Sequence, residues 1–251
     1  MAHLSCYISI KNLQTCNTKY SFSSVSFGSL VNLYMLIKEL TLLTNDITET
    51  KNFYHHLMEF PVLEETKEKI SFSIGNSILS FQQKGKYKAP FYHVAFSIPN
   101  NKLTEALEWV SKRTSILPYS ENEIIADFIG WNAKAFYFHD AQENILEFIT
   151  HFDLNTQEKN HFTSASVQSI CEIGIVTDDV PATCKGIIEQ YHIPHFSKGP
   201  LLKDFAVMGD TNGLLIISKT NRGWLPTQRP SQKFPLNFSI ETNGEIKELP
   251  F

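Results

Sequence analysis

Three ionisable side chains stand inside strand-like runs. Glu39 lies in LIKELTLL, His93 in FYHVAFSI and Glu147 in NILEFIT. Successive strand residues face opposite ways. Glu39 therefore falls opposite Leu40 and Leu42, His93 opposite Val94 and Phe96, and Glu147 opposite Leu146 and Phe148. Each is on the side away from the face apolar enough to pack on a helix. Carboxylates and imidazoles move protons and donate to divalent ions. The bland reading is a satisfied strand histidine and a Glu39 paired with Lys38 or another surface cation. In FYFHD, Tyr137 faces opposite Phe136 and Phe138, and His139 follows it toward Glu147. The loop 221–230, NRGWLPTQRP, carries Arg222, Trp224 and Arg229 and is punctuated by Gly and Pro. Such a loop can form a lid or an anion contact, or simply anchor itself on its Trp.

The elements that would position these groups come from a chain of 251 residues, 42% hydrophobic and 19% charged, which suits a folded protein. The net charge of −4 gives no basic field for nucleic acid or anionic lipid. No run of about eighteen uncharged apolar residues is present, which argues against a membrane span. Cys6, Cys16, Cys171 and Cys184 match no zinc spacing and are expected as reduced thiols of a cytoplasmic protein. Residues 1–34 hold no Asp or Glu and only Lys11 and Lys19 as charges, with weak periodicity. They are expected to be a disordered extension or a misassigned start, with Met35 the true beginning.

An internal repeat organises the rest. LIKELTLLTND at 36–46 and SICEIGIVTDD at 169–179 align at an offset of 133, matching Glu39 with Glu172, Thr44 with Thr177 and Asp46 with Asp179. Each run predicts a strand that turns at an Asp placed to cap a helix, and Asp46 with Glu49 has capping-box spacing. A helix after Asp46 and strands near 62–66, 69–74 and 77–82 complete a βαβββ unit. A second unit has a strand over 91–98, a helix over 103–113 and strands near 124–128, 134–139 and 144–150. A third starts at 170, with a helix near 182–191 and strands near 205–208 and 213–219. A fourth has only its opening strand, 234–240. The expected division is 35–153, a polar linker at 154–168, and a second half at 169–251.

Tandem βαβββ units, with FYHHLMEF after the first strand, HVAFSI opening the second unit and FYFHDAQENILEFI closing it, resemble the vicinal oxygen chelate superfamily over about 35–241. Glyoxalase I, extradiol dioxygenases, fosfomycin-resistance proteins and bleomycin-binding proteins belong to it. The resemblance implies an α+β fold of curved mixed sheets with helices outside, two units enclosing a cup. Metal ligands project into the cup from the first and last strands of each unit. It implies Glu39, His93 and Glu147 as ligands, with Glu39 and Glu147 as catalytic groups. Ser80 stands at the fourth place, where glyoxalases carry Glu, and water would complete the shell. Tyr137, His139, Arg222 and Trp224 are candidate cup-lining or substrate residues.

Two carboxylates and an imidazole meeting there would repel unless a cation or protons joined them. The donor set suits Mn, Fe, Ni or Zn. The second half reads as degenerate: Glu172 repeats Glu39, but Pro235 and Ile216 stand where further ligands would be. Extradiol chemistry uses two His and one carboxylate, and here Glu39 replaces one His. The expected function is a divalent-metal-dependent lyase, isomerase or dioxygenase acting on a small oxygenated or aromatic metabolite. Metal-free small-molecule binding, as in bleomycin resistance, is the alternative. An incomplete fourth unit would leave a sheet edge for a partner chain, and a homodimer is one expectation.

Overall fold

The structure is a computed structural model that describes residues 34–251. The expectation of an extension or misassigned start at 1–34 rests on residues outside those described. The first unit comprises β1 (Met35–Thr44), α1 (Ile47–Lys51) running into a π-helical turn (Asn52–Leu57), β2 (Val62–Glu65), β3 (Lys69–Ile74) and β4 (Ser77–Gln83). The second comprises β5 (His93–Ser97), α2 (Leu103–Ser111), β6 (Ile116–Leu117), β7 (Ala126–Phe128), β8 (Ala133–His139) and β9 (Ile145–His151). The third has β10 (Ser169–Thr177), α3 (Val180–Tyr191), β11 (Phe205–Asp210) and β12 (Gly213–Lys219). A small hairpin, β13 (Gly223–Trp224) with β14 (Arg229–Pro230), precedes β15 (Asn237–Thr242) and β16 (Glu245–Pro250). The fourth unit thus has two strands rather than one, and its first begins three residues later than the FPLNFSI echo suggests. No helix among the described residues is long and apolar enough to cross a membrane.

The corner after each repeated strand is built alike. Asp46 Oδ1 accepts from the backbone of Thr48 and Glu49, at 2.7 and 3.0 Å, and Asp179 Oδ1 accepts from Ala182 at 3.0 Å. The hydroxyls of Thr44 and Thr50 lie 2.7 Å apart, and those of Thr177 and Thr183 2.8 Å. Side-chain oxygens so satisfy helix-start donors that would otherwise be orphaned. The expected capping box does not close, because Glu49 instead accepts from the Gln142 amide at 2.9 Å.

The sheets do not follow the expected halves. One sheet runs β16-β15-β1-β4-β3-β2, and the other β11-β12-β10-β5-β9-β8-β6 with β7 on β8. The first unit is joined to the fourth through β1 and β15, and the second to the third through β5 and β10. A boundary at 154–168 therefore separates strands that share a sheet. The reason lies in the opening strands, which form both antiparallel seams. In β1 the register slips between Ile37 and Glu39, and in β10 between Ile170 and Glu172. Each slip is a bulge of one residue, Lys38 or Cys171, which bends the strand and changes which face its side chains meet. In β1, Met35 and Ile37 are buried before the bulge, and Leu40, Leu42 and Thr44 after it.

The main core draws on both sheets: Leu40, Phe72 and Phe81 from one, Val94, Phe96 and Phe148 from the other. Each Phe buried there contributes about 1.5–3 kcal/mol. The second sheet's other face carries Tyr137 and Ile216, which cluster with Trp224 of the β13–β14 hairpin. That face forms the cup.

Candidate metal centre

Three strands of the second sheet place three ionisable groups on the cup floor: His93 from β5, Glu147 from β9 and Glu172 from β10. The ladder dictates their proximity. Ala95 pairs with both Glu147 and Glu172, one on each neighbouring strand, and His93 is two residues along the same face. His93 Nε2 lies 3.5 Å from Glu147 Oε2 and 4.0 Å from Glu172 Oε2. One ligand atom from each residue lies within 4.8 Å of the other two. Donors about 2.0–2.2 Å from a shared ion stand roughly 3.0–3.6 Å apart, so small side-chain rotations would bring all three to an ion.

All three are buried, exposing 6%, 2% and 3% of their surface. His93 Nδ1 lies 3.2 Å from the Ile145 carbonyl oxygen, which only accepts, so Nδ1 carries the proton and donates. The Nε2 lone pair then faces two carboxyl groups. Burial holds the imidazole down at about 4, against protonation. Burial pushes the Glu172 carboxyl up to about 8. Glu147 is raised well above the usual carboxylate range, first by burial and then by Glu172, while the nearby Tyr137 hydroxyl acts the other way. Glu172 Oε1 is buried with no hydrogen-bond partner. An orphaned carboxyl oxygen, a lone pair aimed at carboxyls and an apolar surround are the conditions a divalent ion relieves. The residues fit such an ion.

Above this floor is a cavity of about 270 Å³. Phe128, Trp131, Tyr137, Phe205 and Trp224 give it aromatic walls, and Ile216 and Leu225 add aliphatic surface. The Trp224 ring lies over His93 with centroids 5.3 Å apart. It fits there because residue 174 is glycine: a Cβ would come within 2.8 Å of the indole.

The structure brings some of the expected site residues together and separates others. His93 and Glu147 come together, and Tyr137, Arg222 and Trp224 line the cavity. Glu39 does not join them: it lies on the other sheet, exposed, in the strand whose partners are β15 and β4. Ser80 also lies on that sheet, its hydroxyl 2.8 Å from that of Ser71, so it supplies no place for water beside His93. His139 is not in the cavity wall, and its Nδ1 lies 3.5 Å from Glu143. The second half, 169–251, read as degenerate, nonetheless supplies Glu172, which stands beside His93 and Glu147 where Glu39 was expected. Ile216 does occupy a wall position and adds no ligand. The signal for Glu172 was present in its context: SICEIGIVT has no other charge, as suits a strand covered on both faces, whereas Glu39 adjoins Lys38.

No protein-family profile matches the chain. No curated protein matches it either. Among solved structures, a candidate dioxygenase from Bacillus subtilis subsp. subtilis str. 168 is similar at a TM-score of 0.54 and 11% identity, over 86% of this chain and 84% of that one. A glyoxalase/bleomycin resistance protein/dioxygenase from Alicyclobacillus acidocaldarius has a TM-score of 0.39 and 16% identity, over 47% of this chain and 92% of its own. The fosfomycin resistance protein FosX from Listeria monocytogenes, complexed with Mn(II) and sulfate, has a TM-score of 0.36 and 17% identity, over 46% and 89%. With its strand–helix–strand units joined in curved mixed sheets, and the likeness to the Bacillus subtilis structure along most of both chains, this chain has the vicinal oxygen chelate fold.

Proposed function

We propose that the protein is a divalent-metal-dependent enzyme acting on a small oxygenated, largely aromatic metabolite, with His93, Glu147 and Glu172 as the metal ligands. The observation that carries this reading is the His93 Nε2 lone pair facing two buried carboxyls, one with an unpartnered oxygen. One nitrogen and two oxygen donors suit Mn or Fe, and Zn or Ni less specifically. Three protein ligands leave open positions, and Ile216 blocks none of them with a donor. The ion would supply Lewis acidity toward oxygens of the bound metabolite.

The chain's own residues do the rest. The aromatic walls bind a planar molecule and exclude water, which strengthens electrostatics on the floor. Glu147, beside Tyr137, is the group placed to take a proton from the metabolite and return it. Trp224 and the Ile145 carbonyl hold the imidazole in one orientation and tautomer. A set of one His and two carboxylates departs from the two-His extradiol pattern, so ring cleavage is the weaker of the reaction types.

Metal-free binding is the second reading, and one observation favours it. Without an ion, burial disfavours charge on all three floor groups, raising the two carboxyls and lowering the imidazole. Elemental analysis of protein purified without chelator or affinity metal separates the two. About one equivalent of Mn, Fe, Ni or Zn, lost in Glu172→Gln, supports the enzyme reading. Absence of metal, with no uptake on titration, makes the empty binding cup the function.

A further inference from the structure

Arg222 is the one charged residue in the cavity wall besides the three on the floor, among the described residues. Its place is fixed by the loop. The Arg222 amide donates to the Lys219 carbonyl at 3.0 Å, and the Ser231 amide donates to the Arg222 carbonyl at 2.8 Å. Ser231, fully buried, donates its hydroxyl to the Lys219 carbonyl at 2.7 Å. Arg222 and Trp224 stand on either side of Gly223, and both line the cavity. The guanidinium lies over the Phe205 ring at 4.1 Å, and Nε is 3.6 Å from Asp204 Oδ2. Stacked on one side and held at Nε, it offers its two Nη groups, which make no hydrogen bond among the described residues. Arg229, on the same loop, differs: its Nη1 donates to the Glu143 carbonyl at 3.1 Å, and its guanidinium covers Phe91.

With a divalent ion bound, the carboxylates of Glu147 and Glu172 would cancel its charge. Among the described residues Arg222 is the one guanidinium or ammonium group in the cavity wall, offset in part by Asp204, whose half-exposed side chain is screened by water. A guanidinium with two free, parallel donors matches the two oxygens of a carboxylate. We propose that Arg222 is a specificity-determining residue that selects metabolites bearing a carboxylate on the ring or side chain remote from the oxygens held at the floor. This deepens the proposed function and rests on its reading of the cavity as the small-molecule site.

The test compares 2,3- and 3,4-dihydroxybenzoate with 3- and 4-methylcatechol by calorimetry, on Mn(II)-loaded and on metal-free protein. At least one carboxylate ligand should bind about ten- to a hundredfold more tightly than its methyl counterpart, as expected for a charge-assisted pair. Arg222→Met, which keeps the stem over Phe205, should abolish that ratio, and Arg222→Lys should restore part of it. Affinity for Mn(II) alone should be the same in all three. Equal binding of each pair to the wild type, or a ratio that survives in Arg222→Met, overturns the assignment. Failure of Mn(II) to bind would sink the metal reading, while the metal-free titrations still decide the role of Arg222.

Discussion

Glu39 and Glu172 stand at the same place in two strands of one pattern, each directly after a one-residue bulge, yet Glu39 is exposed and Glu172 is 3% exposed. What separates them is the partner across the seam. Glu39 pairs with Ser239 of β15, whereas Glu172 pairs with Ala95 of β5, two residues from His93. The relation sets the first prediction. Glu172→Gln should weaken Mn(II) or Fe(II) binding by about ten- to a hundredfold, since one charged ligand is lost, and Glu39→Gln should leave it unchanged. Titration calorimetry on both variants checks this, and the reverse result would return the site to the first unit.

The metal-free protein should lose stability between pH 6.5 and 8. Glu172 titrates in the fold at about 8, above its ordinary 4.5, and Glu147 is raised too, so here the folded state holds more protons than the unfolded one. Stability from such groups is complete below 4.5 and drains as pH rises toward the folded value, by at most about 1.4 kcal/mol per pH unit for each proton. His93 and His151, both lowered to about 4, act oppositely, but only between 4 and their ordinary 6.5. Above 6.5 the carboxyls act alone. Melting temperature should fall over this window without metal and stay flat with saturating Mn(II). A rise in the metal-free protein would mean the carboxyls are already ionised.

Gly174→Ala should push Trp224 away from His93. The added methyl would meet the indole at 2.8 Å and the His93 Cβ at 3.1 Å. Overpacking of this kind costs about 1–3 kcal/mol. Tryptophan emission should shift red and metal affinity should drop several-fold as the imidazole loses its cover. Unchanged emission would show that the indole has room to slide.

Asp140 holds the strands that carry two of the ligands. It is 5% exposed and accepts from Tyr54 Oη at 2.9 Å, from the amides of Gln142 and Asn144 at 2.8 and 2.9 Å, and from Asn144 Nδ2 at 2.7 Å. Asn144 Oδ1 in turn accepts from the Tyr92 amide at 2.8 Å, next to His93. Asp140→Ala should cost about 3 kcal/mol or more, because four donors lose a buried acceptor. Urea unfolding measures it, and a loss under about 1 kcal/mol would mean that water replaces the carboxylate.

Period and capping made the local elements legible: Asp46 and Asp179 start helices, and the alternation around His93 and Glu147 put both on the cup side. The pairing of units was not legible, because strand alternation says which face a residue takes and nothing about which unit lies across the seam. Choosing the neighbouring unit selected Glu39 over Glu172, although the uncharged surroundings of Glu172 pointed to burial on both faces. The bulges were hidden for a similar reason. Lys38 and Cys171 look like ordinary strand residues, and only the register with β15 and β5 shows them as extra.

The return of β15 to β1 also orders events in time. Met35 pairs with Thr242, a contact about two hundred residues long in sequence, whereas the sheet carrying His93, Glu147 and Glu172 closes among residues 93–219. On a chain leaving the ribosome, every strand of that second sheet emerges before β15, so β1 waits with one edge unpaired. Closure of the longest loop is the slowest kind of contact to form. The floor of the cup is therefore specified by residues 93–219, and the seam of β1 with β15 closes the first sheet after it.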